Sequence, residues 1–203
     1  ETRSVLIEDT PELPATALSD ADRDVQRLRV GDGAEPSPSE AVRTALRLGG
    51  GALVVGEVRG EEATALYEAM RVGAAGETVL GTIHGEDPDS VRERVITDLG
   101  VSQSSFAATD LLVVLNDHRV DTIAEVIEHD DEPSFEPLFE RSSDRLESTG
   151  RMDRGESRLV DYLSGPGESY ADVRSTIGGR ADSISEAVAC GRTTPGRYTE
   201  GRR

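Results

Sequence analysis

The sequence predicts an α/β domain built on a mainly parallel sheet with an antiparallel edge, and three observations carry that prediction. Short apolar runs alternate with amphipathic stretches over residues 4–129. Two of the amphipathic stretches open on a Ser-Pro or Asp-Pro cap. The last two apolar runs, Leu111 to Leu115 and Val120 to Ile127, flank Asn116-Asp117-His118-Arg119 as the arms of a hairpin would. A parallel sheet gathers its strand ends on one edge, and open sheets of this class bind ligands there.

In chain order, Ser4-Val5-Leu6-Ile7 reads as a first strand ending on Glu8-Asp9, with Thr10-Pro11-Glu12-Leu13-Pro14 leaving the sheet because Pro cannot continue a central ladder. Residues 15–24 read as loop or short helix, and Val25, Leu28 and Val30 as a shorter second strand before Gly31-Asp32-Gly33. Ser37-Pro38-Ser39-Glu40 forms a capping box for a helix through Ala41, Val42, Ala45 and Leu46 to Gly49-Gly50-Gly51. On that helix Arg43 and Arg47 lie four apart, either on a solvated face or aimed at a phosphate.

Ala52-Leu53-Val54-Val55 is the central strand, running into Gly56-Glu57-Val58-Arg59-Gly60. A helix over Glu61 to Val72 carries acids in its first turn and ends at Gly73-Ala74-Ala75-Gly76. A strand over Thr78 to Ile83 ends at His84, and Asp87-Pro88-Asp89-Ser90 opens a helix through Val91, Val95, Ile96 and Leu99 to Gly100.

Composition shifts near Asp130-Asp131-Glu132-Pro133, so the chain divides into a domain over 1–129 and an appendage over 130–203. In the appendage, Phe135, Leu138 and Phe139 read as an anchor, and 157–163, 170–177 and 181–189 as three short helices separated by Gly-rich breaks. The ending at Gly201-Arg202-Arg203 is expected to fray.

The 203 residues include 40 acidic and 22 basic side chains, for a net charge of -18, and every basic side chain is Arg. That excess excludes a general nucleic-acid-binding surface, which needs a basic face, so no nucleic-acid partner is expected. Acidic, Lys-free surfaces resemble those of extreme halophiles, where salt screens self-repulsion. The expected home is a haloarchaeal cytoplasm. Cys190 is the single cysteine, so no intrachain disulfide can form. No apolar run approaches the roughly 18–20 residues of a membrane span, and no secretory leader pattern is legible. Because Glu1 stands first and a strand follows almost at once, the sequence is expected to begin in mid-domain.

Three strand ends carry the chemistry. Glu8 and Glu12 follow the first strand, Glu57 the central one and His84 a later one. On neighbouring parallel strands they converge. One carboxylate then holds Mg²⁺ through water, another deprotonates an attacking water, and a histidine senses a γ-phosphate. Taken alone, His84 is as well explained by a structural hydrogen bond.

Ile7-Glu8-Asp9-Thr10-Pro11-Glu12, Val54-Val55-Gly56-Glu57-Val58-Arg59-Gly60 and Gly81-Thr82-Ile83-His84 together resemble the Asp box, Walker B and His box of the secretion ATPase superfamily. That family powers type II and type IV secretion, type IV pilus assembly and the archaellum. The resemblance covers roughly residues 4–129. It implies an incomplete RecA-like ATPase core, followed here by a small α-helical appendage. It also implies ATP as substrate, Mg²⁺ as cofactor, a hexameric ring, a membrane platform protein as partner, and a cytoplasmic site at the inner face of the membrane. By position Glu12 matches the general base, Glu57 the Walker B acid near Mg²⁺ and His84 the residue coupling nucleotide to ring. Glu8, Asp9 and Arg59 are supporting members.

One family element is missing. The phosphate-holding P-loop, Gly-x-x-x-x-Gly-Lys-Ser/Thr, requires a Lys, and this chain has none. The simplest expectation is the carboxyl-terminal part of a larger ATPase, inactive alone. The alternative is a non-catalytic truncated paralogue that regulates an intact ATPase.

Overall fold

In the computed structural model the described residues are 3–31, 36–49, 51–73, 78–130 and 132–192. Asp32 and Gly33 of the expected glycine turn, Gly50, Ala74 to Gly76, Asp131 and the expected frayed ending lie outside them.

Four short strands form a parallel sheet: β1 (Ser4–Glu8), β2 (Val25–Arg29), β3 (Ala52–Val55) and β4 (Thr78–Gly81). Their order is β2-β1-β3-β4, every neighbouring pair parallel. The chain steps from β1 outward to β2, crosses back over β1 to β3, and continues outward to β4. The direction of winding therefore reverses between β1 and β3, and the crevice at such a reversal is the usual ligand site of an open α/β sheet. Register sets Ile7 beside Val55 and Val55 beside Gly81, so the carboxyl ends of these three strands are level. Val5, Leu6, Ile7, Leu53 and Val55 are buried. Burial of each such side chain contributes about 1.5–3 kcal/mol relative to exposure.

The helices follow local signals. Residues 15–24, open between loop and helix from sequence, contain α1 (Ala15–Asp20). In α2 (Pro38–Leu48) the expected capping box is complete, with the Ser37 hydroxyl accepting from the Glu40 amide and Glu40 accepting from the Ser37 amide. Ala41, Val42 and Ala45 form its buried face, while Arg43 and Arg47 are exposed and Arg47 donates to Thr44. α3 (Glu62–Arg71) buries Ala63, Leu66, Tyr67 and Ala69. α4 (Pro88–Glu93) has the predicted Asp87 cap and passes into one π-helical turn over Arg94–Asp98. A short helix that the sequence did not suggest, α5 (Gln103–Phe106), stacks its fully buried Phe106 on Tyr67 with centroids 6.1 Å apart.

The hairpin forms as expected, β5 (Leu111–Asn116) pairing antiparallel with β6 (Arg119–His129) across Asp117 and His118. Both turn residues have positive φ, as a tight two-residue hairpin turn requires. The hairpin belongs to a second four-stranded sheet with β7 (Glu132–Ser142) and β8 (Arg145–Ser148), rather than to the edge of the parallel sheet. The region expected as a helical appendage thus contributes two strands before its helices, and Leu138 is the buried member of the predicted anchor. The helices are α6 (Arg151–Arg154), α7 (Arg158–Tyr162) and α8 (Tyr170–Ala189). The last is one helix where two were expected. Gly178 and Gly179 lie inside it, since glycine in a helix interior costs only about 1 kcal/mol against alanine and does not forbid the conformation.

The chain divides into two compact units: Glu1–Thr109 with Val126–Ser134, and Asp110–Glu125 with Phe135–Arg203. The division passes through β6 and β7.

Candidate functional site

At the end of β1 the Glu8 side chain turns inward and is 3% exposed. Its Oε2 accepts the amides of Glu12 and Leu13, each at 3.0 Å, and its Oε1 lies 2.6 Å from Arg27 Nε on β2 in an ion pair. A buried carboxylate needs such compensation, and here it comes from the turn that follows the strand. Glu8 therefore shapes the loop that presents Asp9 and Glu12. The Glu12 side chain is exposed and makes no hydrogen bond or ion pair within the described residues.

Asp9 stands at the mouth of the β1–β3 crevice. Its Oδ1 accepts the Thr10 amide at 2.6 Å and its Oδ2 pairs with Arg59 Nη2 at 2.6 Å. The Thr10 amide holds this carboxyl below the usual aspartate range; burial opposes it, and the charge and hydrogen bond of Arg59 add to the lowering.

β3 ends at Val55 and the chain then runs through Gly56. A Cβ at Gly56 would stand 3.3 Å from Glu8 Cβ and from the Ile7 carbonyl, so glycine permits β3 to leave the sheet close against β1. The Gly56 amide donates to Ile7 at 2.7 Å, and its carbonyl accepts the Thr82 hydroxyl at 2.5 Å. The Val58 amide donates to the Thr82 carbonyl at 2.8 Å. The strand expected through Ile83 stops at Gly81, and these two bonds tie its continuation to the segment that follows β3.

Glu57, two residues beyond β3, has both oxygens engaged. Oε1 lies 3.1 Å from His84 Nε2, and Oε2 lies 3.3 Å from Arg59 Nη1. Arg59 thereby bridges Glu57 and Asp9, a cation held between two carboxylates from neighbouring strand ends. His84 is 93% exposed, with Glu57 as its contact, which favours a surface-facing role over a buried structural one.

Sequence reasoning missed Glu62. It sits at the first position of α3 and is 4% exposed, with Oε1 accepting the amides of Arg59 at 2.7 Å and Gly60 at 2.9 Å. Its one legible signal was an acid in the first helical turn, which reads equally as dipole compensation.

The structure thus joins Asp9, Glu57, Arg59 and His84 in one chain of contacts, with Glu8 buried at the end of β1 as a support, while the Glu12 side chain joins none of these contacts and has no side-chain partner among the described residues. Among the described residues no three His, Cys, Asp or Glu side chains converge to hold an ion directly. No helix among those residues is long and apolar enough to cross a membrane.

Comparison with known proteins places the chain in a family. Residues 1–163 match the type II/IV secretion system protein family. An uncharacterized protein of Methanocaldococcus jannaschii, MJ1287, is 30% identical over 138 residues, covering 62% of this chain and 49% of the relative. The X-ray structure of the Legionella pneumophila ATPase DotB aligns with 86% of this chain and 43% of its own, at 14% identity and a TM-score of 0.44. The chain spans about half the length of the relatives it matches. It belongs to the type II/IV secretion system protein family.

Proposed function

We propose that the chain supplies the catalytic carboxylate edge of a Mg-ATP-hydrolysing motor ATPase that energises type II/IV secretion or the assembly of type IV pili or archaella. The observation that carries this reading is the bridge of Arg59 between Asp9 and Glu57, with His84 on the second oxygen of Glu57. The bridge lies at the winding reversal of a parallel sheet, and family membership supports the same reading.

In this reading Glu12, whose carboxylate has no competing partner among the described residues, orients and deprotonates the attacking water. The water oxygen bonds to the γ-phosphorus, the bond from that phosphorus to the β-bridging oxygen breaks, ADP leaves, and the proton passes to Glu12. Glu57 fits Mg²⁺ as a hard oxygen donor acting through water, because this ion takes few protein carboxylates and completes its shell with water and phosphate oxygens. When bound, Mg²⁺ would neutralise charge developing on the phosphates. His84, exposed and resting on Glu57, would report the state of the γ-phosphate to a neighbouring subunit. The Lys-bearing phosphate loop must come from residues outside these 203, since they contain no Lys. The chain by itself is then inactive. The working form would be a hexameric ring at the cytoplasmic face of the membrane, under an integral platform protein, in an organism adapted to high salt.

Replacing Glu57 by Gln in the assembly purified from source cells is expected to abolish Mg-dependent ATP turnover while sparing nucleotide binding. Unchanged turnover overturns the assignment. The absence of Lys favours a second reading, a non-catalytic subunit of an intact ATPase. It predicts co-purification with a Lys-bearing paralogue whose turnover is indifferent to Glu57.

A further inference from the structure

We infer that Glu62 is a positioning residue for this site: its buried carboxylate sets the turn that aims Arg59 at Asp9 and Glu57. The inference rests on the proposed ATPase reading only for its consequence in turnover. The geometry stands by itself. One oxygen, Oε1, takes the two consecutive amides of Arg59 and Gly60 at 2.7 and 2.9 Å, so the backbone at the root of the Arg59 side chain is fixed from inside the protein.

The carboxylate is fixed in turn. Glu62 opens α3, where the helix dipole favours a negative charge, and the Ala63 amide donates to the Gly60 carbonyl at 3.1 Å, closing the turn. Gly60 leaves room for the arrangement, because a Cβ there would stand 3.1 Å from Glu62 Oε2. Arg59 itself is 55% exposed, and an exposed arginine has many rotamers. Spanning two carboxylates in one geometry requires that its backbone be held, and Glu62 is the group that holds it. The same device recurs at the end of β1, where buried Glu8 takes the amides of Glu12 and Leu13.

Two measurements test the inference. In the 203-residue chain, the Arg59 guanidinium Nη signals are expected to be separately resolved by NMR at low temperature, because Asp9 and Glu57 restrain rotation about Nε–Cζ. Glu62→Ala should average them. Glu62→Gln should keep them resolved, since its amide oxygen can accept both backbone amides. If Glu62→Ala does not fold, Glu62→Leu serves in its place, keeping buried volume while removing the acceptor of both amides. Resolved signals in Glu62→Ala, or in Glu62→Leu where that variant replaces it, overturn the inference.

In the ATPase assembly, Glu62→Ala is expected to lower kcat on the order of 10- to 100-fold, the scale of a misplaced catalytic group, with KM for ATP nearly unchanged. Glu62→Gln should restore most of the rate. Combining Glu62→Ala with Arg59→Ala should be no worse than Arg59→Ala alone. Losses that multiply, or a Gln variant as slow as Ala, overturn it. An assembly with no Mg-dependent turnover at all refutes the ATPase reading instead, while the guanidinium signals still decide the role of Glu62.

Discussion

Arg59 Nη2 lies 2.6 Å from Asp9 Oδ2, joining the turns after β1 and β3 across a sequence separation of 50 residues. The pair is partly exposed, so its worth to folding is small, of the order of 0–1 kcal/mol. Its effect is on geometry and charge.

The first prediction concerns that charge. The Asp9 carboxyl is held below the usual aspartate range by the Thr10 amide and then by Arg59. A depressed folded-state pKa contributes stability above the unfolded pKa, lost as pH falls through the folded value. In Arg59→Ala the Asp9 midpoint, followed by carboxyl NMR, should rise part of the way and stop short of the unfolded value, because the Thr10 amide remains. A midpoint that does not move would show that Arg59 leaves Asp9 in solution. Asp87 and Asp172, both lowered by hydrogen bonds at helix starts, act in the same direction.

A second prediction concerns Gly85, which follows His84. A Cβ there would collide with Val91 Cγ2 and stand 3.2 Å from the Val91 amide, and Val91 is buried at the start of α4. Neither neighbour can move away cheaply. Gly85→Ala should therefore cost about 1–3 kcal/mol in urea unfolding and displace His84 from Glu57. A variant as stable as the parent would show that the segment can shift freely.

The third prediction lies in the other compact unit. Glu125 on β6 is 1% exposed, and its Oε1 accepts the Ser157 hydroxyl and, at 2.8 Å, the Leu159 amide, binding the start of α7 to the strand. Glu125→Ala strands both donors in the interior and should cost about 3 kcal/mol. Glu125→Gln keeps an acceptor and should cost less than half as much. Equal losses in a denaturant series would place the effect in the carboxylate charge, which both variants lack, rather than in the acceptor oxygen that Gln keeps.

Ser37-Pro38-Ser39-Glu40 and Asp87-Pro88 announced their helices because a cap is a local event, complete within one turn of chain. The apolar runs at Val5 to Ile7 and Leu53 to Val55 announced buried strands for the same reason, and the strand ends they imply carry Glu8, Glu57 and, past β4, His84. What could not be read locally is which acid faces in. Glu8, Glu62 and Glu125 look like any of the chain's 40 acidic residues, yet each is buried on backbone amides supplied by a turn or a helix start. A carboxylate goes inside only where folding has already aimed unpaired N–H groups at it. The same holds for the hairpin, whose pairing was legible while its partner sheet was not, and for α8, where Gly178-Gly179 looked like a break. The sequence by itself determined the strands, the caps and the residue types at the sheet edge, all set within a few residues. Tertiary structure alone decided which carboxylates act at the surface and which hold the turns that present them, because that depends on donors brought together from distant parts of the chain.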